Sequence, residues 1–481
     1  MEEQLRRVGN KAVEHARKLG AEEAEIYLFM ENHTSVKFIG GIFASRSKAV
    51  KGFQGTLARI GEPWIKKKGI PIISSGTKAG VGIRAIANKA IGFSSVSSLE
   101  ENKVLEAAEE AVKIAKIRPP DPNWVSLSDP KTPREKGGIF DKGVAELSAD
   151  RILEMSANCC VVAGDFDKRI IQAMSMITAD SIDFGVINTK GIEAFDKATV
   201  FQVYIGTKGK FRGEEVSGSD FLLSRSLDEN VAPIAESASR KTVECFGKKP
   251  LPEKHVGTVV FDNESWSQLF SVIFTTGISG YNVQENRSVL KGKIGQQVAK
   301  ENVSILDDGT LPEGLGTAKM DDEGVPRQKT SIVEKGILTS FLYDNYAAKR
   351  ESQESTGNAS RGGRPTAPYS NQLLIRPSNL ILESGSSNLE GLISEVKNGV
   401  LLKGSLIGAG HSNTVTGDFS VTGDNAFKIE NGAVAYPLKA CTAAGNLYQA
   451  LSSVIAVGND PRTFGIVINP SIAIDGVVVS T

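Results

Sequence analysis

Residues 305–338 read ILDDGTLPEGLGTAKMDDEGVPRQKTSIVEKGIL. Three clusters punctuate this stretch: Asp307-Asp308-Gly309, Asp321-Asp322-Glu323-Gly324 and Glu334-Lys335-Gly336, after which Ile337-Leu338 opens another apolar piece. Aspartate side chains accept hydrogen bonds from nearby backbone and glycine supplies positive φ, so each cluster ends one extended piece and turns the chain into the next. The pattern returns at Gly417-Asp418 and at Glu430-Asn431-Gly432. Short strands with frequent tight turns predict a β-rich second half. No fixed repeat period runs through it, which excludes a solenoid or a propeller.

Working back toward the start, Gly247-Lys248-Lys249-Pro250-Leu251-Pro252 mixes turn formers with charge. It marks the expected boundary between an N-terminal domain, 1–246, and a C-terminal domain, 247–481. The first half alternates helical and extended patterns. Val8, Val13, Ala16 and Leu19 recur at helical spacing before Gly20, predicting a helix over 3–19. Residues 23–29 and 35–39 are rich in β-branched and aromatic side chains, and the polar triplet Glu31-Asn32-His33 between them predicts a hairpin turn. Further strands are expected at 80–87, 170–176, 181–188 and 192–204, and helices at 100–117, 148–163 and 232–246. Prolines at 119, 120, 122, 130 and 133 keep 118–147 extended, as either a surface arm or a functional loop. The fold class expected is therefore α+β, with an antiparallel sheet and helices in the first domain.

Composition narrows function. Lysine plus arginine equals aspartate plus glutamate at 56 each, so no global field collects nucleic acid or an anionic membrane. The run Lys66-Lys67-Lys68 reads as a solvated loop. The opening residues lack the apolar core of a secretion signal, and no stretch reaches the roughly 18 uncharged apolar residues of a membrane span. The expected location is the cytoplasm, and the four cysteines at 159, 160, 245 and 441 read as reduced buried thiols.

Strong local signatures are missing. There is no Walker A loop and no G-x-S-x-G elbow, and Gly408-Ala409-Gly410 fails as a dinucleotide loop because Asn413 stands where glycine is needed. Zinc hydrolysis needs three protein ligands and a carboxylate base. The four histidines, at 15, 33, 255 and 411, have no ligand spacing between any two. Neither Cys159-Cys160 nor Cys441 has a neighbouring base in the sequence. The pairs Asp307-Asp308 and Asp321-Asp322 could do acid-base work or bind a hard cation, but such pairs more often end strands and organise turns.

In order and spacing, these motifs resemble the TldD/PmbA (TldD/TldE) metallopeptidase family. The resemblance rests on Gly295-Gln296-Gln297-Val298, the Asp307 and Asp321 clusters, Thr356-Gly357-Asn358-Ala359 and Gly458-Asn459-Asp460. Gly80-Val81-Gly82-Ile83-Arg84 and Gly92-Phe93-Ser94 extend it into the first half. The catalytic branch carries H-E-x-x-x-H upstream of G-Q-Q-V and a cysteine ligand near its end. Ungapped counting from Val298 puts Ser271, Val272 and Thr276 at those histidine, glutamate and histidine positions, with Gly277 still matching. Hydroxyls are poor zinc ligands at neutral pH and valine cannot act as a base. No cysteine follows residue 441.

The resemblance thus implies the zinc-free TldE (PmbA) branch: no catalytic residue, no metal and no cofactor. It also implies a barrel-like second domain and a chamber completed with a TldD-like zinc peptidase subunit. Extended, unfolded peptide is the implied substrate. Family members process ribosomally made peptide antibiotics, degrade unfolded peptides, and were once described as gyrase modulators. Gly277, Tyr281, Asp321, Asp322 and His411 are the candidates for the peptide groove, placed by that analogy. Two other readings stand beside it. One is a self-dimer that binds peptide without a protease partner; the other is a hydrolase whose chemistry has moved to His411 with Asp418 or Cys441.

Overall fold

A computed structural model describes residues 2–41, 69–133, 137–362 and 368–481; Lys66-Lys67-Lys68 lies outside them. Helix α1, Glu2–Lys18, buries Leu5, Val8, Ala12, Val13 and Ala16 and stops at Gly20, whose φ of 93° closes the helix as few other residues can. The strands that follow are long. β1 (Glu23–Gly41), β2 (Gly69–Ala87), β4 (Ile170–Asn188) and β5 (Glu193–Phe211) have 19 residues each, roughly 60 Å of extended chain. With β3 (Ala90–Val96) and β6 (Glu214–Ser224) they form one antiparallel sheet in the order β3-β2-β1-β4-β5-β6.

Two sequence expectations are corrected here. Glu31-Asn32-His33 is no turn; β1 runs straight through it, as does β4 through the gap expected between 176 and 181. The polar side chains are satisfied inside the sheet instead. Asn32 Oδ1 accepts from Thr77 Oγ1 at 2.7 Å, and His33 Nδ1 lies 2.7 Å from Asp180 Oδ1. With partners on both neighbouring strands, nothing bends the chain there. Strand β6 was not foreseen. It pairs with β5 through Arg212 and Gly213, both at positive φ, as a two-residue hairpin requires.

Alternation along β1 gives the sheet two different faces. Ala24, Ile26 and Leu28 pack under α1 and α2 (Glu101–Ile117), while Val36 and Phe38 pack under α3 (Ala149–Phe166). Helix α3 starts at Ser148, whose side chain accepts from Arg151 N, and α4 (Ala232–Glu244) completes this layer. Glu25, Tyr27 and Phe29 point the other way, onto the second half of the chain: Glu25 meets Arg361, and Phe29 meets Tyr369.

The second half is β-rich. A nine-stranded sheet is centred on Ile472–Ser480, which pairs with His255–Phe261 on one side and Cys441–Asn446 on the other. A six-stranded sheet includes Ile305–Asp308, Lys329–Glu334 and Leu380–Leu382. A cluster from Leu251 to Val479, built around Phe261, Trp266 and Phe270, forms the largest core. The architecture is α+β. No helix among the described residues is long and apolar enough to cross a membrane.

Candidate functional site

Between the odd face of the first sheet and the second half lies a cavity of about 770 Å³. One wall is the segment 263–277. Asp262 caps its start, accepting from Ser265 N at 2.8 Å and from Gly404 N at 2.9 Å. Trp266, Phe270 and Phe274, four residues apart, stack at centroid distances of 6.0 and 4.8 Å and are wholly buried. The helix widens to a π-type turn over Phe270–Phe274. With the aromatic side fixed in the core, Ser271, Val272, Thr275 and Thr276 face the cavity.

Their hydroxyls are already engaged. Ser271 Oγ donates to the Gln268 carbonyl at 3.2 Å, Thr276 Oγ1 donates to the Val272 carbonyl at 2.9 Å, and Thr275 Oγ1 donates to the Ser271 carbonyl. Neutral hydroxyls bonded back to their own helix are unsuited to hold a metal. Among the described residues, no group of three or more histidine, cysteine, aspartate and glutamate side chains is arranged to do so either.

The opposite walls come from distant sequence. Arg84, Ile91 and Phe93 reach in from the sheet, and Arg118, Asp121 and Trp124 from the proline-rich arm. The arm is packed onto the second half: Trp124 stacks on Tyr346 at 6.3 Å, Tyr346 Oη donates to Asp121 Oδ2 at 2.8 Å, and Lys349 Nζ donates to Ser126 Oγ at 2.6 Å. Tyr281, 39% exposed, extends the aromatic row, 6.5 Å from Tyr346. The floor is 372–377, in which Leu374–Ile375 pairs on one side with Ala359–Ser360 and is in no other sheet among the described residues.

A buried charge network sits behind the cavity. Arg84 Nη2 donates to Glu25 Oε2 at 2.8 Å and to Glu323 Oε1 at 2.7 Å, and Arg361 Nη2 donates to Glu25 Oε1 at 3.0 Å. Burial works against the Arg84 charge, but Glu25 and Glu323 outweigh it and hold its pKa above the ordinary value. Asp344, on the cavity wall, accepts from Ala347 N at 2.7 Å. Burial, reinforced by Glu323, pushes its carboxyl up to about 7.

The structure brings Ser271, Val272, Thr276 and Tyr281 together but separates the other sequence candidates. Gly277 is buried behind the wall, where a Cβ would lie 2.1 Å from Tyr448 Oη. Asp321 and Asp322 do not reach this cavity. Asp321 accepts from Glu323, Val325 and Ala359 backbone N–H groups, and Asp322 from that of Arg361. Asp307 likewise holds Ser378 and Asn358. His411 lies exposed on a short 3-10 turn, also outside the cavity lining, and Asp418 is engaged by Thr416 and Asn446. Cys441 is buried, its thiol pushed up to about 11 by desolvation. Arg361, Asp344, Trp124 and the 372–377 floor escaped sequence reasoning. The one available signal was a charge in each of two apolar strands, Glu25 and Arg84, which the register pairs directly.

Comparison with known proteins fits this layout. Residues 254–481 match the model of the PmbA/TldA metallopeptidase C-terminal domain, and 65–115 that of PmbA/TldA metallopeptidase domain 1. An uncharacterized protein of Methanocaldococcus jannaschii is 30% identical over 86% of this chain and 92% of its own length. A Haemophilus influenzae protein named as a metalloprotease PmbA homolog is 28% identical over 83% of this chain and 85% of its own. The crystal structure of TldE from Thermococcus kodakarensis superposes with a TM-score of 0.83 at 27% identity, covering 98% of this chain and all of that one.

Proposed function

Since this chain belongs to the PmbA/TldD metallopeptidase family, we propose that it is a non-catalytic subunit, which holds extended peptide while a TldD-like partner carrying zinc cuts it. The observation that carries this reading is the wall at Ser271, Val272 and Thr276, where both hydroxyls are spent on helix carbonyls and a valine stands between them at the position of the base. All three chemical roles of a zinc peptidase are lost at one place. The cavity itself is kept, lined by an aromatic row and by a strand segment with one edge unpaired among the described residues.

Main-chain hydrogen bonds to Leu374–Ile375 would hold an extended peptide with little regard to its side chains, which favours unfolded substrates. The division at 246/247 belongs to the same proposal: Gly247 N and Lys248 N still donate to Glu214 of β6, and from Lys249, whose N donates to the Pro437 carbonyl and whose carbonyl accepts from Lys439 N, the chain runs with the second half. The cytoplasm is the proposed location. Metal analysis of the purified chain tests the reading. Less than about 0.1 zinc per chain is expected, whereas stoichiometric zinc would return the chain to the enzymes.

A further inference from the structure

The cavity is lined by four guanidinium groups, Arg84, Arg118, Arg361 and Arg376, against two carboxyl groups, Asp121 and Asp344. Both carboxyls are committed within the protein. Asp121 accepts from Tyr346 Oη and from Asn123 N, each at 2.8 Å, and Asp344 caps the helix Asn345–Arg350. The guanidiniums are not fully used. Arg84 pairs with Glu25 and Glu323 and Arg361 with Glu25, yet the Nε–H of each is buried without an acceptor, and the two residues are only 9% and 1% exposed. Arg118 gives one bond from Nη1, to the Ile91 carbonyl at 3.2 Å. Neither Arg118 nor Arg376 is in an ion pair among the described residues, and both are exposed.

At the rim, the exposed guanidiniums of Arg118 and Arg376 leave acceptor oxygens as the missing partner. A guanidinium presents its N–H groups as a planar fork matched to a carboxylate, and such bonds are stronger than neutral ones. Position narrows the ligand further. Leu374 and Ile375 carry a strand edge that is unpaired among the described residues, and Arg376 follows them directly. A peptide laid along that edge passes beside Arg376, in the cavity that Trp124, Tyr346 and Tyr281 also line.

We infer that this cavity selects peptides bearing a carboxylate at the held end, from a free C-terminus or an acidic side chain, through Arg376 and Arg118. This rests on the proposed peptide-holding role and adds to it a chemical preference. Being long-range and charged, the preference weakens with salt.

Calorimetry with the full chain and N-acetylated hexapeptides of glycine, serine and leucine tests it. Three forms are compared: the free acid, the C-terminal amide, and an amide with one internal glutamate. The free acid is expected to bind about tenfold more tightly than the plain amide, and the difference to fall within about twofold in the Arg118→Ala/Arg376→Ala variant. Both replaced residues are exposed, and an unchanged melting temperature confirms that the variant is folded. Tight binding by the glutamate-bearing amide would assign the preference to any carboxylate, and weak binding would assign it to the C-terminus. Equal binding of acid and plain amide overturns the inference while leaving the peptide-holding role intact. Binding of no form overturns that role as well.

Discussion

A Cβ at Gly277 would run into the end of the Tyr448 ring, 2.1 Å from its hydroxyl and 3.2 Å from Cζ, and that hydroxyl is itself buried without a hydrogen-bond partner. Gly277→Ala is therefore predicted to destabilise the chain by about 1–3 kcal/mol, read from urea unfolding, with Tyr448→Phe relieving part of the loss. Asp344 gives a pH signature. Its folded carboxyl sits near 7 against an ordinary 3.8, so stability is fully present below about 4 and falls as pH rises toward 7. Asparagine keeps the accepting Oδ1 for Ala347 N but cannot ionise. Asp344→Asn should raise the melting temperature by roughly 2–5 °C at pH 8 and by under about 1 °C near pH 4; an equal gain at both would refute the assignment. Turn chemistry is the part of the residue scale that the sequence displays well. Asp321 organises its own turn, accepting from Glu323 N and Val325 N, whereas Asp307 and Asp322 reach out of theirs to Ser378 N and Arg361 N, 71 and 39 residues away. Arg361 was illegible, because its meaning lies in Glu25, 336 residues away.

Among elements, the helices were legible and the long strands were not. Amphipathic spacing and a terminal glycine or proline fix α1 and α2 locally. Whether Glu31-Asn32-His33 bends depends on partners in β2 and β4, which no local pattern contains. Amide exchange checks the point. Asn32 and His33 should exchange as slowly as Ile26 and Leu28 in the same strand, whereas a turn would exchange at once. The arm 118–147 left open a choice between packing and function, and it does both in geometric terms: Trp124 and Leu127 are buried, and Arg118 and Asp121 line the cavity. Lys349 fastens it through Ser126 and Leu127. Lys349→Met is predicted to speed trypsin cleavage after Lys131, measured against the unchanged cleavage rate at a distant site. An unaltered rate would mean that packing of Trp124 alone holds the arm.

For the molecule as a whole, the sheet's odd face and the second half are joined by charges that burial makes costly to separate. Arg84→Met leaves Glu25 and Glu323 facing each other without their shared cation, and a loss of about 3–5 kcal/mol is expected from chemical denaturation. A loss below about 1 kcal/mol would show that the network is not what fastens the halves. The family was legible at this scale because its turn motifs keep their order along the chain. The cavity was not, since its walls come from 84–93, 118–124, 271–282, 344–346 and 372–377, brought together only by folding. The central claim is that the chamber is retained without the chemistry. Its most direct test is a peptidase assay on unfolded peptide, with this chain alone, a TldD-like partner alone, and the two mixed. The account predicts no cleavage by this chain alone and faster cleavage by the mixture than by the partner; cleavage by the isolated, metal-free chain would contradict it.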